Sequence, residues 1–406
     1  MGDARGMSDV EAQYEAYPYP ERDPKDEAKR LITGSPSHPL EVDHFVFGGK
    51  RDWSKSIRIL VAGGGTGDAL IQLAQVLTSA KRAYEITYLD LSIASREIAE
   101  ARAEARGLHG ITFVTGSLLD AADHGAFDYI DCCGVLHHLP EPQAGFDALA
   151  AALAPEGGLG FMVYAPYGRT GVYPLQEAFA TLLAGLSPEE RLAKAKQIYK
   201  ALPASHPFRL NPHLVDHEQG DAGFYDLLLH SQDRPFGARD LVETLDRAGL
   251  GLVSFTQSAL YDPAPLLPGG DEAPADPVDA MEVAEKLRGT IKLHVGYATH
   301  AGRAKSAMAG NADQTLVPHL KGVDPQALAR AVAAKGQLRL SLGPDKQVID
   351  IPKQAAPLLV QVNGRTPLGA IAAKAGLDPI GFNAVWGKTA KQLTGYGLLL
   401  YSNLLL

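Results

Sequence analysis

Ile57-Arg58-Ile59-Leu60-Val61-Ala62-Gly63-Gly64-Gly65-Thr66-Gly67-Asp68-Ala69-Leu70 decides the fold. An apolar run rich in β-branched residues ends in glycines, and helical spacing then begins at Leu70, Leu73, Val76 and Leu77. Strand, tight turn and helix are predicted in that order. Outward from there, Ile86 to Leu89 is a strand closed by Asp90, and a helix from Ile93 to Arg106 stops at Gly107. Ile111 to Val114, Tyr129 to Cys133 and Leu159 to Tyr164 read as strands, with a helix at Ala144 to Leu153 between the last two. Strands separated by helices predict a parallel sheet with helices on both faces.

After Tyr164 the alternation breaks. Residues 170–245 read as a helical insertion, and Leu252 to Phe255 is the next strand. A proline-rich loop follows, then a helix with Asp279 and Glu282 as its capping pair and Gly289 as its stop. Ile291, Leu293, Val295 and Tyr297 alternate as a last strand. The fold class is therefore α/β, a seven-strand Rossmann-like sheet with an insertion after the fifth strand.

A chain of 406 residues has room for two or three domains, and 46% apolar with 21% charged residues excludes a disordered chain or a fibre. The longest uncharged stretch, Gln392 to Leu406, is too short to span a bilayer. Met1 to Lys29 is polar and of mixed charge, and the two cysteines are adjacent, which suits neither a leader nor a disulfide framework. A soluble cytoplasmic protein without membrane contact is expected. Net charge is −9, made of +5 over residues 311–406 and −14 over the rest. That shift and the polar stretch Gly302 to Asp324 put a domain boundary near residue 310. A chain ending near residue 305 is expected to fold and bind its cofactor. A balance of +5 is too dilute for a nucleic-acid footprint, so nucleic acid is the less favoured partner.

Glycines between a strand and a helix let a ligand approach the backbone, and Asp90 after the next strand is placed to accept hydrogen bonds from ribose hydroxyls. A dinucleotide loop needs Gly-x-Gly-x-x-Gly, but the third position from Gly63 is Asp68. A carboxylate there repels a pyrophosphate and suits an ammonium or sulfonium. S-adenosylmethionine is thus favoured over NAD or FAD.

Ile59 to Gly67 resembles the first motif of class I S-adenosylmethionine-dependent methyltransferases. Tyr88-Leu89-Asp90-Leu91-Ser92, Phe127-Asp128-Tyr129-Ile130, Gly134-Val135-Leu136-His137-His138-Leu139-Pro140 and Leu153-Ala154-Pro155-Glu156-Gly157-Gly158 follow in family order. The resemblance implies that Gly63, Gly64, Gly65 and Gly67 line the methionine and ribose end, that Asp90 holds the ribose and that Leu91 packs on adenine. Ser117 and Leu118 stand where the family meets the adenine amino group, and Cys133 and Gly134 where it touches the methionine. Val61 departs from the family, which commonly has an acidic residue there, and Asp68 is expected to compensate by reaching the methionine ammonium.

His137 and His138 follow the fourth strand beside the expected acceptor pocket. Either is a candidate general base, and packing alone is the equal alternative. Tyr164, Tyr167, Arg169 and Tyr173 cluster after the fifth strand as an acceptor wall, with Tyr164 a catalytic candidate and Arg169 an anion clamp. His230, with Asp226 and Asp233, faces the same pocket from the insertion. His213 and His217 have a metal-like spacing but lack a complete ligand set, so no metal is expected. Residues 1–50 are read as a lid in which Tyr14, Tyr17 and Tyr19 cover cofactor and acceptor; Tyr14 and Tyr19 are cofactor-binding candidates.

From residue 311, Leu338 to Leu342 and Val348 to Ile351 pair, helices follow at 355–362, 367–374 and 379–393, and an apolar hairpin ends the chain. This looks like a winged-helix-type module for protein recognition or self-association, so a homodimer is one expectation. The expected activity is methyl transfer to an N or O nucleophile of a protein or small-molecule acceptor. A non-catalytic S-adenosylmethionine sensor is the alternative.

Overall fold

The glycine turn and its flanking alternation build one mixed sheet. In this computed structural model, which describes residues 9–269 and 272–406, the strands are β1 (Ile57–Ala62), β2 (Tyr84–Asp90), β3 (Ile111–Thr115), β4 (Phe127–Cys133), β5 (Leu153–Tyr164), β6 (Leu250–Phe255) and β7 (Leu293–His300). Their spatial order is β3-β2-β1-β4-β5-β7-β6. All neighbours are parallel except β7, which runs antiparallel to β5 and to β6. The chain reverses direction across the sheet between β1 and β4, and the C-terminal ends of those strands form the crevice where open α/β sheets bind ligands.

Helices α1 (Asp9–Ala16), α2 (Pro39–Val46), α3 (Asp68–Ser79), α4 (Ile93–Ala105) and α5 (Pro142–Ala151) surround that crevice or back the sheet. Alternation along the strands sends Leu60, Ile130 and Phe161 to one face with Phe146 and Leu149 of α5. Ile59, Val61 and Tyr129 go to the other, against Phe45 of α2 and Leu70 and Leu73 of α3. Helix α2 was expected within the lid. Its Val42, Phe45 and Val46 are instead core residues, so the covering segment ends before Pro39; residues 1–8 of that segment lie outside the described residues.

Leu153 opens β5 rather than closing α5. The helix Pro277–Arg288 is capped by Asp276, whose side chain accepts from the amides of Val278 and Asp279 at 2.9 Å. Asp279 and Glu282 hold Arg239 instead of forming the cap. The insertion supplies α6 (Val172–Leu182), α7 (Pro188–Ala201) and the helix Asp221–Leu229, packed around Phe179, Leu192, Phe224 and Leu228.

Beyond residue 310, β8 (Pro318–Leu320), β9 (Gln337–Leu342), β10 (Asp345–Asp350) and β11 (Leu399–Tyr401) accompany helices that enclose Leu358, Ile371 and Trp386. The β9–β10 hairpin matches expectation. The terminal apolar residues do not form their own hairpin: β11 pairs antiparallel with β8, inside the stretch read as a linker. Past β11, Ser402 Oγ donates to Asp43 Oδ2 at 2.6 Å, and Leu400 and Leu404 enter the same core as α2. Among the described residues, no helix is long and apolar enough to cross a membrane.

Candidate active site

The turn after β1 is shaped by its glycines. Gly65 has φ +49°, and a Cβ there would meet the Tyr19 carbonyl at 3.0 Å. Its amide donates to Asp90 Oδ2 at 2.8 Å, while Ser92 N donates to Oδ1 at 2.9 Å. Each carboxylate oxygen retains a lone pair for a ligand hydroxyl. Gly63, Gly64, Gly65, Asp90, Leu91, Ser117 and Leu118 line one end of a cavity of about 480 Å³. Cys133 and Gly134, at the end of β4, line it next to Val61. Burial pushes the Cys133 thiol up, so it stays protonated. Gly67 does not face the cavity. It caps α3 at φ +99° and lies where a Cβ would press on Ala99 at 3.0 Å, so its role is to let α4 approach.

The N-terminal segment crosses the turn as a strap. Thr66 Oγ1 donates to the Pro20 carbonyl at 2.7 Å, and Tyr14, Tyr19, Pro20 and Arg22 line the cavity. Tyr17 does not. Its ring stacks on Tyr225 of the insertion at 5.0 Å, fastening the strap from outside. Arg22 grips Asp68 through two hydrogen bonds of 2.6 and 2.9 Å, and Arg102 adds a third at 2.8 Å. Arg102 also donates to Glu27 at 2.6 Å, which ties the strap to α4. Asp68, expected to reach a methionine ammonium, therefore has both oxygens engaged by arginines. It touches the cavity chiefly as the anchor of its cover.

The opposite end of the cavity is lined by His138, Tyr164, Arg169, Asp226 and Lys292. Asp226 is buried and accepts from Tyr164 Oη at 3.1 Å and Tyr14 Oη at 3.2 Å. Burial, the largest influence, raises its pKa. The backbone of Gln232 sets two histidine tautomers in opposite senses. Its amide donates to His230 Nδ1 at 3.1 Å, so the neutral ring carries its proton on Nε2 and donates to Tyr14 Oη at 3.3 Å. Its carbonyl accepts from His138 Nδ1 at 2.7 Å, so His138 carries a lone pair on Nε2.

The expected roles of five residues change here. His137 is buried behind the cavity with Nε2 unpartnered, and burial lowers its pKa well below the usual value; it packs on Tyr164 at 3.9 Å and does not line the cavity. His230 sits in the second layer, stacked on His138 at 3.7 Å. Arg169 is paired with Asp233 at 3.1 Å and lies 3.5 Å over the Tyr164 ring, so its charge is already met and it orients that ring rather than clamping an anion. Tyr173 holds Arg169 Nε at 3.0 Å, and Tyr167 lies at the surface; neither lines the cavity.

Nitrogen and oxygen atoms of His138, Asp226 and His230 lie within 4.8 Å of one another, as do those of His137, His138 and Asp233. The rings of His138 and His230 are stacked with only 17° between their planes. Lone pairs in two parallel planes do not converge on one ion, which disfavours a metal on the first set.

Some of these residues were legible from motif position and some were not. Arg22 gave no local signal. Asp131, which lines the cavity beside Cys133, is the buried one of two aspartates in β4, the other being the half-buried Asp128 near the strand's start, and a charge among apolar neighbours late in the strand is the signal it offers.

Residues 60–159 match the family model of a methyltransferase domain. A curated relative, an uncharacterized protein of Synechococcus sp., is 33% identical over 268 residues, which are 64% of this chain. The chain spans 63% of that relative's length. Among solved structures, PKMT2 from Rickettsia typhi superposes with a TM-score of 0.61 at 15% identity, over 92% of this chain and 77% of its own. The same protein is solved in complex with AdoHcy with the same agreement. The likeness therefore extends past the sheet into the C-terminal region. With the glycine turn, Asp90 and the strand order already in place, residues 60–159 match the methyltransferase-domain family model, and the chain has a Rossmann-like methyltransferase fold.

Proposed function

We propose that this chain transfers the methyl group of S-adenosylmethionine to a nitrogen or oxygen nucleophile of a protein or small-molecule acceptor. The observation that carries this reading is one cavity joining the Gly63–Gly65 and Asp90 end to the His138, Tyr164 and Asp226 end. When bound, S-adenosylmethionine supplies an electrophilic methyl group on a sulfonium. The chain's residues do the rest. Asp90 and the Gly65 turn fix the ribose, while Leu91 and Leu118 give the adenine an apolar seat. The strap through Tyr14, Tyr19 and Pro20 keeps water from the sulfonium side. Asp226, with two tyrosine hydroxyls donating to it, orients an acceptor N–H or O–H. His138 Nε2 takes the acceptor proton, and the Gln232 carbonyl stabilises the imidazolium through Nδ1–H.

Incubation with methyl-labelled S-adenosylmethionine and a fractionated lysate tests the activity. Label in a protease-sensitive or small-molecule fraction supports it; label confined to nuclease-sensitive material, or none, overturns the acceptor assignment. His138→Asn keeps a donor for Gln232 but removes the base, and turnover should fall by roughly 10²- to 10⁴-fold with cofactor affinity unchanged. Full turnover in that variant would leave positioning as the whole mechanism. Asp90→Ala should weaken S-adenosylhomocysteine by about 1.5–3 kcal/mol, the range for hydrogen bonds to a charged group. Calorimetry showing wild-type affinity in the folded variant would remove Asp90 from the site. For residues 311–406, the dilute charge supports protein recognition or self-association as the proposed role.

A further inference from the structure

Asp131 is a carboxylate without a stated task. It lies in β4, directly across from Val61 of β1 in the parallel register. Its side chain is 1% exposed and lines the cavity beside Val61, Cys133 and Ser37. Oδ2 accepts from Tyr129 Oη at 3.1 Å, but Oδ1 has no hydrogen-bond partner. A buried carboxylate oxygen left unpaired at a cavity wall costs free energy unless a ligand satisfies it. The neighbouring carboxylates differ: each Asp90 oxygen already accepts one backbone amide, Asp68 is held by Arg22 and Arg102, and Glu41 is paired with Lys321.

We propose that Asp131 binds the α-ammonium group of the cofactor's methionine portion, supplying from β4 the negative charge that Val61 does not supply from β1. The assignment rests on the S-adenosylmethionine reading of the cavity. It follows from placement: the ribose-binding turn and Asp90 occupy one side of the β1–β4 crevice, the acceptor groups occupy the far end, and Asp131 lies at the floor between strands β1 and β4. A charged amine there closes the open valence of Oδ1.

The surroundings make this contact dependent on pH. Tyr129 shares the strand, Ser37 comes from the strap, Tyr297 from β7 and Glu41 from α2, and both Cys132 and Cys133 adjoin. No cation among these faces the group. Burial, opposed by the Ser37 and Tyr129 hydroxyls, pushes the Asp131 carboxyl up to about 7. The free protein therefore carries a proton on Asp131 at pH 6, and an arriving ammonium displaces it. Affinity should fall about tenfold for each pH unit below 7, because binding releases one proton.

Calorimetry with two ligands tests the assignment. S-adenosylhomocysteine has the amino-acid portion and 5′-methylthioadenosine lacks it. Asp131→Asn is isosteric and should weaken S-adenosylhomocysteine about 10- to 100-fold while leaving 5′-methylthioadenosine within twofold. In the unmodified protein at pH 6, S-adenosylhomocysteine should release a proton, read from two buffers of different ionisation enthalpy, and 5′-methylthioadenosine should release none. Unchanged S-adenosylhomocysteine affinity in the variant, equal losses for both ligands, or no proton release in the unmodified protein overturns the role of Asp131. If those results come with 5′-methylthioadenosine binding that Asp90→Ala weakens, the cofactor reading stands without it. If the unmodified protein binds neither ligand, both fall.

Discussion

Gly65→Val is expected to abolish cofactor binding, with no detectable heat at ligand concentrations 1,000-fold above the wild-type Kd. Two independent effects act at this position. The backbone at φ +49° lies in the left-handed region, which costs a β-branched residue of order 1–3 kcal/mol, so the turn shifts rather than holds. The new side chain also points at the Tyr19 carbonyl, which a bare Cβ already approaches to 3.0 Å. The strap must therefore lift, and the Thr66–Pro20 hydrogen bond is lost with it. Lifting the strap admits water, and shifting the turn releases the Gly65 amide from Asp90. The defect should stay local, because α3 and the core behind β1 do not touch that side chain. A variant with near-native thermal stability and no binding is the predicted result. Retained affinity within tenfold would show that the ligand does not pass over this turn. Cleavage by trypsin after Arg22 should accelerate in the variant, since Arg22 is held only while the strap lies against Asp68.

How much of this site could be read in advance depended on sequence distance. Gly63 to Gly65 and Asp90 were legible because strand, turn and acidic residue are consecutive parts of one βαβ unit, and their chemistry is local. His137 and His138 could not be separated, since adjacent residues in a short helical turn point to different sides and only packing decides which reaches the cavity. Arg169 reads as a free cation until Asp233, far along the chain, is found beneath it. Asp68 reads as a free anion for the same reason, until Arg22 and Arg102 close on it. The exchange between Val61 and Asp131 is a matter of strand register, and no local pattern carries register between β1 and β4. Helix α2 was mistaken for cover because its His38-Pro39 start and short apolar run resemble the strap before it. Its burial comes from strands that follow it in sequence.

Removing residues 306–406 is expected to unfold the remaining chain, although the charge shift near residue 310 marks that place as a natural cut. The reason lies in α2. Asp43 is fully buried and accepts four hydrogen bonds, from Arg51 N at 3.0 Å, Trp53 Nε1 at 3.2 Å, Ser402 Oγ at 2.6 Å and Asn403 N at 3.1 Å. His44 Nδ1 accepts from Tyr401 N at 3.0 Å, and burial holds that imidazole neutral, down at about 3. Truncation strips Asp43 of two donors and His44 of its only one, leaving polar groups that cost about 1–3 kcal/mol each when unsatisfied. It also takes Leu400 and Leu404 out of the core that α2 shares with β1, at about 1.5–3 kcal/mol for each side chain. Those losses together approach the 5–15 kcal/mol that holds a typical domain folded. Asp43→Ala isolates the polar part and should lower stability to urea by about 3–5 kcal/mol, because four donors lose their acceptor at once. Deleting only 400–406 should be nearly as harmful as deleting the whole module, since the contacts with α2 are concentrated there. If the chain ending at residue 305 instead unfolds cooperatively with wild-type stability and binds S-adenosylhomocysteine, water has replaced the Ser402 and Asn403 donors. The C-terminal module would then be an appendage rather than part of the core beneath the cofactor crevice.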